Sequence, residues 1–218
     1  SVTVGTGVTI DPDDYGVFTT AGTDATTPIL AGVTIDVNNT DADTIAIGIY
    51  NESFAAADTA PGDESSEVII GANNTITVDD GAGGEADGAI GIWAANSGGG
   101  TGSVSVTVAD GISLTVRGDG AGGIVGDASG GNVTIQVGTG AITSIAGNDA
   151  DTALVLPANV GILAMSSGGS VSVTSSANVQ ASSAGLGAVE SAGSGATTSG
   201  AGTVTVITRG VSATVGSD

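Results

Sequence analysis

The chain has 218 residues, of which 39 are glycine and 4 proline; 40% are apolar, 2% aromatic, and the formal net charge is −21. It holds no cysteine or histidine, so thiol chemistry, disulfides and His-based triads or metal sites are excluded. The only cations are Arg117 and Arg209, which leaves nothing to neutralise a row of phosphates, and no nucleic-acid partner is expected.

The apolar residues fall in short alternating runs, which favours folded β structure over a flexible Gly/Ser linker. The chain opens on SVTVGTGVTI, with a first run at Ser1–Val4 and no signal-peptide pattern. The first glycine–aliphatic step is Gly16-Val17 and the second is Gly48-Ile49. Glu67–Gly71 and Asn74–Val78 lead to the third, Gly91-Ile92, within Ala89–Ala94. Ser103–Val108 and Gly111–Val116 lead to Gly123-Ile124, and Asn132–Val137 and Gly140–Ile145 to Gly161-Ile162. A sixth step, Gly185-Leu186, precedes the closing runs Thr203–Ile207 and Gly210–Val215. The steps lie 32, 43, 32, 38 and 24 residues apart, as expected of coils that keep their strands and vary their loops.

Three alternating runs per round, joined by Gly, Asp, Asn and Ser turns, predict an all-β chain: a right-handed three-sided parallel β-solenoid (β-helix) of about six and a half coils with no helix. The whole of 1–218 reads as one solenoid domain. Its 1–87 part is acidic and loop-rich, with 16 of the 23 acids, and 88–218 is neutral and rich in Gly, Ser and Thr. Val, Ile and Leu are expected inside, Thr3, Ser105, Thr134, Ser172 and Thr205 outside, and the step glycines at corners. The rival is an antiparallel sandwich or propeller, for which Asp80-Gly81, Asp110-Gly111 and Asp119-Gly120 would supply hairpin turns. The longest apolar stretch, Ala153–Met165, is broken by Pro157 and Asn159 and is too short to span a bilayer, so no membrane insertion is expected.

The line GNVTIQVGTGAITSI…VGILAMSSGGSVSVTSS resembles the β-helix passenger domains of bacterial autotransporters and of filamentous-haemagglutinin-type adhesins, best from Ser66 to Ala192. The resemblance implies secretion to the extracellular cell surface and a fibrous structural or adhesive role. The family's C-terminal translocator barrel and an end-capping segment are not recognisable in this chain.

Four groups of residues are candidates for function. The residues after the steps, Phe18, Tyr50, Trp93, Val125 and Leu163, form an outward apolar column, read either as a partner-facing stripe or as a seam under neighbouring loops such as Asn51–Glu67. Strand edges at Val2, Val4, Val204, Val206, Val211 and Val215 are candidates for end-to-end stacking into a filament by self-association. Acid clusters at Asp11, Asp13 and Asp14 and at Asp79, Asp80, Glu85 and Asp87 could hold calcium or serve as solvated loop charge; no cofactor is required. Gly118–Gly123 matches GxGxxG but opens onto a strand, which rejects a nucleotide site.

The functional expectation is a non-enzymatic extracellular structural protein, a subunit or segment of a surface fibre. The alternative is an adhesin module binding a surface glycan or protein. A polysaccharide lyase or hydrolase ranks below both, because such chemistry needs a cationic base beside its acids and the two arginines lie about three coils apart with no aligned face. Four N-x-S/T sequons, at Asn38, Asn51, Asn73 and Asn132, read as chance in a Thr-rich chain.

Overall fold

A computed structural model describes residues 1–39, 45–54, 64–80, 88–97, 101–118, 120–145 and 159–181, together with the backbone of the strands Ala184–Glu190, Val204–Thr208 and Thr214–Val215. Among these residues there is no helix, and the strands form three sheets of seven, six and six strands. Every pairing is parallel, so the chain is a three-sided parallel β-solenoid and the antiparallel alternative is excluded.

The first wall contains Thr9–Ile10, Thr34–Asn38, Thr75–Asp79, Ile112–Arg117, Gly140–Ile145, Asn178–Ala181 and Thr214–Val215. The second contains Tyr15–Ala21, Ala46–Ser53, Ala89–Asn96, Gly122–Ala128, Val160–Ser166 and Ala184–Glu190. The third contains Ala25–Ile29, Ser66–Ile70, Val104–Val108, Val133–Val137, Val171–Ser175 and Val204–Thr208. The chain visits the walls in that order, once per round.

Alternation makes these strands. In Val133–Val137 the two valines and Ile135 are buried, while Thr134 and Gln136 face out. Equivalent residues stack between rounds. Ile35, Ile76, Leu114, Ile142 and Val179 form one interior column, and Val68, Val106, Ile135 and Val173 another. Each fully buried Ile or Leu contributes roughly 1.5–3 kcal/mol, and the main cluster runs from Val4 to Val179 along the axis.

The glycine–aliphatic steps stack in one column of the second wall, Val17, Ile49, Ile92, Ile124, Ile162 and Leu186. They lie inside the strands rather than at corners. Ile47 belongs to an outer cluster, whereas Ile49 belongs to the core. Gly48 between them points inward, since a methyl group there would meet Ile76 Cγ2 at 2.9 Å and Val78 Cγ2 at 3.1 Å. Two successive residues thus face the interior, and the strand bends at the step as it does at a bulge. The glycines also pack on one another. A methyl group on Gly91 would lie 2.6 Å from the carbonyl oxygen of Gly123, and Gly16, Gly48 and Gly123 meet the next round's glycine in the same way. Asp110-Gly111 does turn the chain, but at the corner between the third and first walls, with Gly111 at φ +83°.

Candidate functional site

The bend at each step sends the following residue outward, which builds the column expected from the sequence. Phe18 pairs with Tyr50, Tyr50 with Trp93, Trp93 with Val125, and Val125 with Leu163. The rings of Phe18 and Tyr50 are stacked, with centroids 5.1 Å apart and planes at 16°. Tyr15 meets Phe18 edge-on at 5.2 Å, and Trp93 meets Tyr50 edge-on at 5.3 Å. Each ring therefore touches at least one other in the ladder.

Exposure falls along the column. Phe18 is 52% exposed and Tyr15 42%, Tyr50 and Trp93 are half-buried, and Val125 (1%) and Leu163 (7%) are buried. The last two are not part of an open stripe. With Ile47, Ile90 and Val160 they form a second hydrophobic cluster on the outer face of the wall, against which Ile45, Tyr50, Trp93 and Met165 pack. Within this ladder the open apolar surface is thus that of Tyr15 and Phe18, with Tyr50 and Trp93 at its border.

A polar column runs beside the rings: Thr20, Glu52, Ala95, Asp127 and Met165. Tyr50 donates its hydroxyl hydrogen to Glu52 Oε2 (2.8 Å), and Ser97 donates to Glu52 Oε1. Burial, and then the Glu52 carboxylate, push the Tyr50 phenol far above its ordinary range. Burial likewise raises Asp127. Glu52 and Asp127 are separated by Ala95, about two strand spacings or ~9.6 Å. Trp93 Nε1 is shielded from solvent and makes no hydrogen bond.

Among the described residues the candidate metal ligands form no metal-holding group. Asp11 and Asp13 are exposed, and Asp14 is half-buried with Oδ1 unbonded. Asp79 faces Arg117 across the first wall at 3.8 Å, which spends the charge of one ligand on the only cation among the described residues. Glu85, Asp87, Gly81 and Asp119 lie outside the described residues, whereas Asp80 is half-buried and its N–H donates to the Arg117 carbonyl (3.1 Å). Among the described residues no three acid side chains form a group that could hold a metal ion.

The stacking edges fare differently from one another. Val4 is buried and already bridges in parallel to Ile29; its N–H donates to the Pro28 carbonyl (3.0 Å) and its carbonyl accepts from Leu30 N–H (3.0 Å). Val2 is 39% exposed and donates to the Thr26 carbonyl. Val204 and Val206 pair with Val171 and Val173, and Val215 with Ala181, whereas Val211 lies outside the described residues.

Sequence reasoning missed a buried polar cluster at the corner between the second and third walls. Asn51, fully buried and inside the strand Ala46–Ser53 rather than in a loop, donates from Nδ2 to Ser66 Oγ (2.6 Å) and to the Ala25 carbonyl (3.1 Å). Its Oδ1 accepts the Thr27 hydroxyl (2.8 Å), and Thr27 Oγ1 lies 2.8 Å from Thr19 Oγ1. One round on, Asn96 Nδ2 donates to Ser53 Oγ (2.9 Å) and to the Glu64 carbonyl. The signal was there: two positions after each step aliphatic, alternation points inward, and that column reads Thr19, Asn51, Ala94, Gly126, Ala164.

No protein-family model, curated protein or solved structure matches the chain.

Proposed function

We propose that the chain is a non-enzymatic structural protein, a segment of an extracellular surface fibre or stalk extended by end-to-end stacking of solenoid coils. The observation that carries this reading is the continuous parallel register of the three walls, in which each strand pairs with its equivalents one round away. A coil of this kind contacts only its neighbours and templates the next, so length grows along one axis. The resemblance of the VTIQV…GILAMSSGGSVSV line to surface β-helix passengers points the same way, and an acidic, lysine-free surface keeps such a rod from clumping. Negative-stain imaging at high protein concentration, with and without calcium, tests it. Rods that lengthen with concentration are the expected result, and uniform monomers in both conditions would defeat it.

A second reading, an adhesin module, is favoured by the exposed Tyr15 and Phe18 beside the polar column. It predicts that Phe18→Ala abolishes capture of a surface glycan or protein while rod length is unchanged. In the fibre reading the same substitution changes lateral bundling instead.

A further inference from the structure

The alternating pattern that builds the walls is blind to a slip of two residues. Sliding Ser66–Ile70 by two positions along Ala25–Ile29 returns every inward residue to the interior and every outward residue to solvent, because side-chain direction repeats every second residue. Stacked Val and Ile columns therefore do little to choose between the registers. One is nonetheless adopted, with Thr26 beside Glu67 and Thr27 beside Val68.

We propose that the buried cluster of Thr19, Thr27, Asn51, Ser66 and Asn96 is a register lock that holds successive rounds at one stagger. Asn51 reaches from the second wall to both neighbouring strands of the third, gripping the Ala25 carbonyl and Thr27 hydroxyl on one and Ser66 Oγ on the other. Ser66 returns its hydroxyl hydrogen to the Asn51 carbonyl (3.0 Å). A two-residue slip takes either Thr27 or Ser66 away from the amide while all three stay buried, and a buried polar group without a partner carries a penalty that apolar stacking does not supply. Asn96 repeats the device one round later, joining Ser53 and the Glu64 carbonyl and accepting from Ser129 Oγ (3.2 Å). A single buried Asn sets register in coiled coils by the same physics. The inference rests on the fold alone and stands whether or not the chain forms fibres.

The chain has no cysteine, so introduced pairs report register without background. Thr26→Cys with Glu67→Cys joins residues paired in the observed register, whose Cα atoms are about 4.8 Å apart, within disulfide reach. Thr26→Cys with Ile69→Cys or with Ser65→Cys joins positions about 8 Å apart that meet only after a slip in one direction or the other. In the otherwise unchanged chain the first pair oxidises and the slipped pairs stay reduced. In a chain carrying Thr19→Val, Thr27→Val, Asn51→Leu and Ser66→Ala, a slipped pair is expected to close at least about tenfold more often, with the far-UV β signal kept. A remote pair, Thr134→Cys with Thr174→Cys, stays reduced in both. Closure of the Thr26–Glu67 pair alone in the replaced chain overturns the lock, and so does closure of the remote slipped pair, which would mean general loosening. If the fourfold replacement loses its β signal, Asn51→Ala alone decides on the same criteria.

Discussion

The rounds up to Asn96 and those from Val104 onward share one backbone plan and differ in what fills it. In the earlier rounds the second wall turns Thr19 and Asn51 inward and Phe18, Tyr50 and Trp93 outward; in the later ones the same positions hold Gly126 and Ala164 inside and Val125 and Leu163 outside. Sixteen of the 23 acids lie at or before Asp87. The second wall of the earlier half therefore adds directional polar and ring contacts to an apolar stack that runs through both halves. A parallel coil sets only the alternation of faces, and either chemistry can occupy it.

Both halves rely on the same atom-sized gap between step glycines, and filling it has the largest expected effect. Gly91→Ala places a methyl group 2.6 Å from the Gly123 carbonyl oxygen and 2.5 Å from Leu114 Cδ1, so backbone or core packing must shift. A loss of about 3 kcal/mol is expected in urea unfolding, at the upper end for overpacking. Asn51→Ala follows, at roughly 2–3 kcal/mol, because it removes the amide that joins Thr27, Ser66 and the Ala25 carbonyl and leaves that carbonyl without its side-chain donor in the interior. Val125→Ala should cost about 2 kcal/mol and Phe18→Ala about 1 kcal/mol, although phenylalanine is the larger side chain. Phe18 is half in solvent, whereas Val125 is buried. Equal losses for the two would erase the distinction between an open ladder and a covered outer cluster.

The smallest effect is one of pH. Burial raises Asp127, so the folded chain holds that proton more tightly than the unfolded chain does. Its contribution to stability grows as pH falls through the raised value toward the ordinary carboxylate range. Asp127→Asn should therefore stabilise at neutral pH, by well under about 1 kcal/mol at a half-covered site screened by solvent, and the gain should fade in acid. Asp110 has the opposite sign. Hydrogen bonds from Thr139 N–H (2.7 Å) and Thr139 Oγ1 (3.0 Å) lower it, so its contribution is present above the ordinary carboxylate value and is lost as pH falls through the lowered one.

Much of this architecture is legible in the sequence because a solenoid writes its period along the chain. Gly48-Ile49, Gly91-Ile92, Gly123-Ile124 and Gly161-Ile162 are spaced unevenly, yet all fall in one column, since loop length does not alter which face of the wall a strand presents. Alternation also gives the outward direction of Tyr50 and Trp93. It does not reveal that Val125 and Leu163, which point out as well, are buried in a second cluster with Ile90 and Val160, because alternation gives direction and not packing. Alternation does place Asn51 inward, but not the partners Ser66 and Thr27, 15 and 24 residues away, that make its burial tolerable. The strand Ala25–Ile29 was hidden for a related reason. Its interior residues are Ala25, Thr27 and Ile29, and Pro28 interrupts the pattern on its outer side.

The central claim is that the step aliphatics of successive rounds stack in a single parallel column. Methyl NOE measurements on isoleucine-labelled protein test it directly. A connected series of cross-peaks is expected from Ile49 to Ile92, Ile92 to Ile124, and Ile124 to Ile162. Cross-peaks that instead skip a round, or that join these residues in antiparallel order, would contradict it.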